Sequence, residues 1–286
     1  MNYINPDALV ECDWLAERLG DGKVSVVDAS FHLPAAKRDP VAEFLDKHIP
    51  GARFFDVDQI SDPDVDLPHM LSSPERFGEL VGVLGIGNDH HVIAYDVSGG
   101  GMAAMRAWWM FRIFGHDKIS VLDGGLVKWL AEDRKIESGP ADIAAEPYAA
   151  TGFDAGLVRS IEQIRTNIAD GAEQVVDVRG KGRFEGSEPE VRAGLRSGHI
   201  PGSLNLPFLE LLDADRHMVM RPADQLAAII DAAGIDRGLP VTASCGSGVT
   251  ACVLAFALYL IGKEDAAVYD GSWTEWGGRS DTPIEV

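Results

Sequence analysis

Cysteine is scarce in this chain, with three residues in 286: Cys12, Cys245 and Cys252. An odd count at those spacings fits neither a disulfide framework nor a zinc ribbon, so a reducing compartment and no metal are expected. Positive charge is also short. Lys and Arg number 25 against 45 Asp and Glu, for a net charge of −20. That balance removes the attraction to phosphate on which nucleic-acid binding rests, and it works against anionic membrane surfaces. Long apolar runs are missing as well: the strongest, residues 251–262, is too short to span a bilayer. Residues 1–13 are neither basic nor apolar, so no targeting leader is expected and the chain reads as cytoplasmic. What remains is an ordinary globular composition, 46% hydrophobic, long enough for one large domain or two of moderate size.

An internal repeat decides between those two. Val26-Val27-Asp28 recurs as Val175-Val176-Asp177, and His48-Ile-Pro-Gly51 recurs as His199-Ile-Pro-Gly202. Val92 to Asp96 parallels Val241 to Cys245. Asp123-Gly124, followed by Trp129, parallels Asp270-Gly271, followed by Trp273. The offset stays between 147 and 151 residues, far above solenoid periods, and indicates a duplicated domain. Residues 1–140 form the first half, 141–156 a linker within a Gly-, Pro- and Ala-rich stretch, and 157–286 the second half.

Each half alternates short, continuously apolar strands with helices. Strands are expected over 24–28, 92–95 and 119–122, and again over 174–178, 240–243 and 267–269. Helices are expected over 8–19, after Pro6 and Asp7, and over 102–114, 160–169, 223–233 and 249–260. That alternation predicts an α/β fold, with a mostly parallel sheet covered by helices in each half.

The segment Ser244-Cys245-Gly246-Ser247-Gly248-Val249-Thr250-Ala251 joins a predicted strand to a predicted helix. Strand ends of this kind hold ligands in open α/β folds. Gly246 and Gly248 let the backbone curl so that N–H groups point inward, and the helix start adds its own field. Such a cradle favours an anion, and a cysteine there is favoured as the nucleophilic thiolate. A simple buried hydrophobe is the usual fate of a free cysteine, but it gives the two glycines no purpose. That reading suits Cys252 and Cys12 better. Other loop chemistries fit poorly. The G-x-G-x-x-A spacing lies near the end of the chain, where a dinucleotide fingerprint does not normally occur. A Walker loop needs Lys where Val249 stands, and a cysteine phosphatase needs Arg where Ala251 stands.

The same residues carry a resemblance. The Cys245-Gly-Ser-Gly-Val-Thr250 loop, the duplication, Gly182-Arg-Phe-Glu-Gly-Ser-Glu-Pro-Glu190 with Arg192, and Arg196-Ser-Gly-His-Ile-Pro-Gly202 resemble the 3-mercaptopyruvate sulfurtransferase family of tandem-domain rhodaneses. Phe54-Phe-Asp-Val-Asp-Gln59 and the Trp108-Trp109 helix extend the likeness over nearly the whole chain. The resemblance implies two rhodanese-like domains, with Cys245 carrying sulfur as a persulfide and passing it to cyanide or a thiol such as thioredoxin or a small thiol. It implies no cofactor. It also implies Arg183, Arg192, Gly246, Gly248, Val249 and Thr250 as substrate-binding residues. Ser247, His69 and Asp58 match a relay proposed for the family. Asp96 stands where Cys245 stands in the repeat, so the first half should not carry sulfur. Thiosulfate-preferring rhodaneses tend to carry basic loop residues, whereas the side chains here are neutral. A thiosulfate sulfurtransferase and a non-catalytic sulfur or redox module are the alternatives. His48 and His199 occur in both halves, which favours a structural role for each.

Overall fold

The computed structural model describes residues 2–99 and 102–286. It contains two five-stranded sheets, both parallel throughout. The first comprises β1 (Leu9–Val10), β2 (Val24–Asp28), β3 (Arg53–Phe54), β4 (His91–Tyr95) and β5 (Ile119–Leu122), in the order β1-β5-β4-β2-β3. The second begins with β6 (Val158–Arg159), β7 (Gln174–Asp177) and β8 (Leu204–Asn205). After the two-stranded ribbon of β9 (Leu212–Asp213) and β10 (Val219–Met220), it resumes with β11 (Val241–Ser244) and β12 (Ala267–Tyr269). Its order, β6-β12-β11-β7-β8, repeats the first. The central strands are buried on both faces, Val92, Ile93 and Ala94 in one half and Val241, Thr242 and Ala243 in the other. This accounts for their unbroken apolar sequence.

The start of the chain departs from the expected helix over residues 8–19. Pro6–Ala8 form a 3₁₀ turn, Leu9 and Val10 pair with Val121 and Leu122, and only Cys12–Ala16 are helical. A two-residue edge strand has no periodicity of its own, and its pairing with β5 overrides local helix preference. The helix expected from Val249 begins at Ala251, leaving Val249 and Thr250 in the loop before it.

One hydrophobic core runs through both halves. Its centre is the packing of the Met102–Ile113 helix on the Ala251–Leu260 helix, with the Trp108 ring 4.8 Å from Phe256 and 5.1 Å from Tyr259. The Ala251–Leu260 helix is apolar all round, as a helix enclosed on every side must be. Reciprocal hydrogen bonds flank this contact. The Leu71 N–H donates to the Asp270 carboxylate, and the Met220 N–H donates to the Asp123 carboxylate, both at 2.8 Å. Just before these amides, His69 and Met218 share a left-handed backbone, with φ of 63° and 62°. Residues 141–156 lie along the first half. Glu146 N–H donates to the Gly82 carbonyl, and a Cβ at Gly82 would come within 2.7 Å of the Glu146 oxygen. Among the described residues no helix is long and apolar enough to cross a membrane.

Candidate active site

Cys245 follows the last residue of β11 and is 1% exposed. Its loop is fastened to the turn after β12. The Trp273 N–H donates to the Cys245 carbonyl at 3.0 Å, the Thr274 N–H donates to the Gly246 carbonyl at 2.8 Å, and the Ser272 hydroxyl accepts from the Cys245 N–H at 3.1 Å. Gly248 has φ of +76°, and a Cβ there would lie 2.6 Å from the Asp270 carbonyl. Glycine is therefore needed both for the left-handed turn and for the close approach.

The loop forms the floor of a cavity of about 360 Å³ between the halves. Phe31, Leu33 and Met102 come from the first half, and Val191, Leu195 and Phe208 from the second, so much of its wall is apolar. Cys245, Gly246, Ser247, Val249 and Thr250 line it, and so do Arg183 and Arg192. Gly248 does not; it turns the backbone beneath.

The arginines are held differently. Arg183 donates to Glu190 through Nη2 at 2.5 Å and Nε at 3.2 Å, and a Cβ at Gly246 would lie 3.4 Å from its Nη2. The Glu190 side chain is 2% exposed and also accepts from Arg179 at 2.6 Å. Arg179 is also bound by buried Asp177, at 2.5–3.0 Å, so two carboxylates, Asp177 and Glu190, hold the two guanidinium groups. Arg192 Nη2 lies 3.3 Å from His69 Nε2 and 3.4 Å from Ser247 Oγ. Partial burial lowers the proton affinity of the Arg192 guanidinium.

His69 is 3% exposed, its ring edge-on to Phe31 at 4.5 Å and its Nδ1 2.7 Å from the Asp58 carboxylate. This contact with His69 holds the Asp58 carboxyl below its ordinary range. Asp58, His69 and Ser247 are therefore linked through Arg192, which bridges His69 and Ser247; Ser247 and Arg192 line the cavity, while His69 and Asp58 do not.

The counterpart position in the first half holds an anion of its own. The Asp96 carboxylate accepts N–H bonds from Ala103 and Ala104, at 3.0 and 3.2 Å, at the start of the Met102–Ile113 helix. Cys252 is buried within its helix and its thiol donates to the Gly248 carbonyl at 3.3 Å; burial pushes that thiol far above its ordinary range. Burial pushes the Cys12 thiol up to about 12. His48 and His199 each bond a nearby carbonyl, of Phe44 and Phe184, and stack on the same Phe rings.

Sequence reasoning passed over Arg106, Asp270 and Glu190 as site residues. Arg106 is 0% exposed and donates to Asp270 at 2.6 Å, to the Gly248 carbonyl at 3.2 Å, and to the His69 carbonyl. A cation within the apolar run Met102–Ile113 was the available signal, as was the repeated Asp-Gly for Asp270.

Residues 11–132 and 160–279 each match the rhodanese-like domain family. The chain belongs to that family. Over 278 residues it is 43% identical to human 3-mercaptopyruvate sulfurtransferase, covering 96% of this chain and 93% of that protein. It is 43% identical over 285 residues to thiosulfate sulfurtransferase of Rattus norvegicus, covering 98% of this chain and 95% of the relative. The crystal structure of SseA from Escherichia coli, a 3-mercaptopyruvate sulfotransferase with the rhodanese fold, superposes with a TM-score of 0.84 at 37% identity. That match covers 93% of this chain and 98% of SseA.

Proposed function

We propose that this protein is a sulfurtransferase that takes sulfur from 3-mercaptopyruvate onto Cys245 and passes it to cyanide or a thiol acceptor, releasing pyruvate. One observation carries the reading: Cys245 sits on the floor of an interdomain cavity, in a neutral loop, with Arg183 and Arg192 on the wall. An α-keto carboxylate offers two oxygen acceptors that suit planar guanidinium forks. The Cys245 thiolate attacks the substrate sulfur; the new S–S bond forms as the C–S bond breaks, and its electron pair leaves with the carbon as pyruvate enolate. An arginine at the carbonyl oxygen stabilises that charge. The proton lost from the substrate thiol is the one the enolate carbon needs. Ser247 and His69, with Asp58 behind the imidazole, are the groups proposed to move it. An acceptor thiolate then attacks the outer sulfur and restores Cys245.

In this reading residues 157–286 carry sulfur. Residues 1–140 supply Asp58 and His69 and carry none, and residues 141–156 link the two. Thioredoxin or a small thiol in the cytoplasm is the proposed acceptor, consistent with three free cysteines. Thiosulfate as the main donor is the second reading, favoured by the rat relative's name. Intact mass before and after 3-mercaptopyruvate, with pyruvate assayed, tests the proposal. One added sulfur that maps to Cys245 and leaves on treatment with thiol is expected. Pyruvate release without a sulfur adduct would overturn it.

A further inference from the structure

The residue that joins the sulfur loop to His69 belongs to neither. Arg106 lies inside the Met102–Ile113 helix of the first half, wholly buried, its guanidinium over the Trp109 ring at 4.4 Å. Through Nη1 it donates to the Gly248 carbonyl at 3.2 Å and to Asp270 at 2.6 Å; through Nη2 it donates to the His69 carbonyl. Asp270 in turn accepts the Leu71 N–H at 2.8 Å. One ion pair therefore holds the backbone from the His69 carbonyl to the Leu71 N–H together with the apex of the Cys245 loop. Burial works against the Arg106 charge, but Asp270 more than restores it, so the guanidinium stays protonated.

Comparison of the halves assigns this device to the site and not to the interface. The repeat places Ala255 opposite Arg106 and Met218 opposite His69, and Met218 has the same left-handed backbone without any such cation. The fold therefore makes this turn without an arginine. What differs is that His69 has a ring to aim, with Nε2 facing Arg192 and Nδ1 facing Asp58.

We propose that Arg106 is a positioning residue that fixes His69 relative to the Cys245 loop across the domain boundary. The inference rests on the reading that His69 takes part in turnover. Its effect should fall on kcat with 3-mercaptopyruvate and not on KM, because Arg106 is not among the residues lining the cavity.

Arg106→Lys keeps a charge opposite Asp270, but one ammonium cannot span both carbonyls as the planar fork does. It is made in the full chain alone and combined with His69→Ala, with thermal melts for each. In the wild-type background, kcat should fall at least about tenfold with KM within about threefold. In the His69→Ala background the same change should cost less than about threefold, since groups acting through one another are not additive. Arg106→Gln, planar but uncharged, replaces the Lys variant if that one does not melt cooperatively. Unchanged kcat in the Arg106 variant, or the same loss in both backgrounds, would overturn the positioning role while leaving His69 in place. Unchanged kcat in His69→Ala alone would remove the His69 reading and this inference together.

Discussion

Arg192 Nη2 approaches His69 Nε2 to 3.3 Å, while His69 Nδ1 lies 2.7 Å from the Asp58 carboxylate on the other side of the ring. A guanidinium can only donate, so a His69 ring that accepts this bond through Nε2 has its hydrogen on Nδ1, on the Asp58 side. In that tautomer the Nε2 lone pair faces Arg192, which itself lines the cavity.

His69→Ala should accordingly slow 3-mercaptopyruvate turnover by about 10²–10⁴-fold, the range for loss of a general acid or base. Persulfide formed on Cys245 should still be detectable by mass. Asp58→Asn should lose less, because it disturbs the tautomer and leaves the ring. Steady-state kinetics on both variants checks this, and full activity in His69→Ala would remove the relay from the mechanism.

Cys245→Ser should abolish transfer from every donor, since a serine hydroxyl is not ionised near neutral pH and cannot hold a sulfane sulfur. Cys252→Ser should keep most activity. Its thiol is enclosed by its helix and pushed far up by burial, away from the nucleophilic form. An equal loss in both variants would mean that the sulfur carrier had been misassigned.

For Arg183→Ala and Arg192→Ala, kcat/KM with 3-mercaptopyruvate should drop roughly 10- to 100-fold each, as for loss of a charge-assisted hydrogen bond. Glu190→Gln should resemble Arg183→Ala more than Arg192→Ala, because Glu190 holds Arg183 and Arg179, whereas Arg192 contacts His69 and Ser247. Wild-type kinetics in Arg183→Ala and Arg192→Ala would place both arginines outside the reaction.

Donor choice follows from the neutral loop. Gly246, Ser247, Gly248, Val249 and Thr250 bring no side-chain cation beside Cys245 for a thiosulfate dianion. 3-Mercaptopyruvate should be favoured by at least about tenfold in kcat/KM, about 1.4 kcal/mol of transition-state preference. A thiosulfate preference in side-by-side kinetics would move the assignment to the second reading.

The Asp123 carboxyl, whose pKa burial raises from 3.8 to about 6, makes the domain contact sensitive to pH. Because the folded value lies above the unfolded one, its contribution to stability is complete below about pH 4 and is lost as pH rises through 6. Asp28, also raised to about 6, adds in the same direction. Asp123→Asn keeps an acceptor for the Met220 N–H and removes the titration. Its Tm relative to wild type should rise between pH 4 and pH 8, by the equivalent of up to about 3 kcal/mol. A Tm difference independent of pH would contradict this.

The repeat, both central sheets and the cysteine loop were legible because each is a local pattern: Val-Val-Asp runs, a Gly-Ser-Gly turn, an apolar helix after it. The edge strand Leu9–Val10 was not, since it exists only through its partners Val121 and Leu122. Arg106 was hidden for a related reason. Its three partners lie 37, 142 and 164 residues away, and no spacing along the chain connects them. Glu190 was visible as a possible partner for the arginines, but its sharing between Arg179 and Arg183 emerges only when the chain folds back.

The matched bonds from Asp270 to Leu71 and from Asp123 to Met220 have the form of an isologous contact, the kind two identical subunits make about a two-fold axis. A homodimer with this geometry would hold two equivalent centres, each borrowing its histidine from the other copy, and neither could change alone. Joining the copies into one chain lifts that constraint. Cys245 and His69 occupy one centre; at the other, Asp96 fills the anion position with its own carboxylate, and a Cβ at Gly99 would lie 3.0 Å from the His217 carbonyl. The second centre is free to serve as an internal brace, and the proposed reaction needs one sulfur-carrying site where a symmetric assembly would have two.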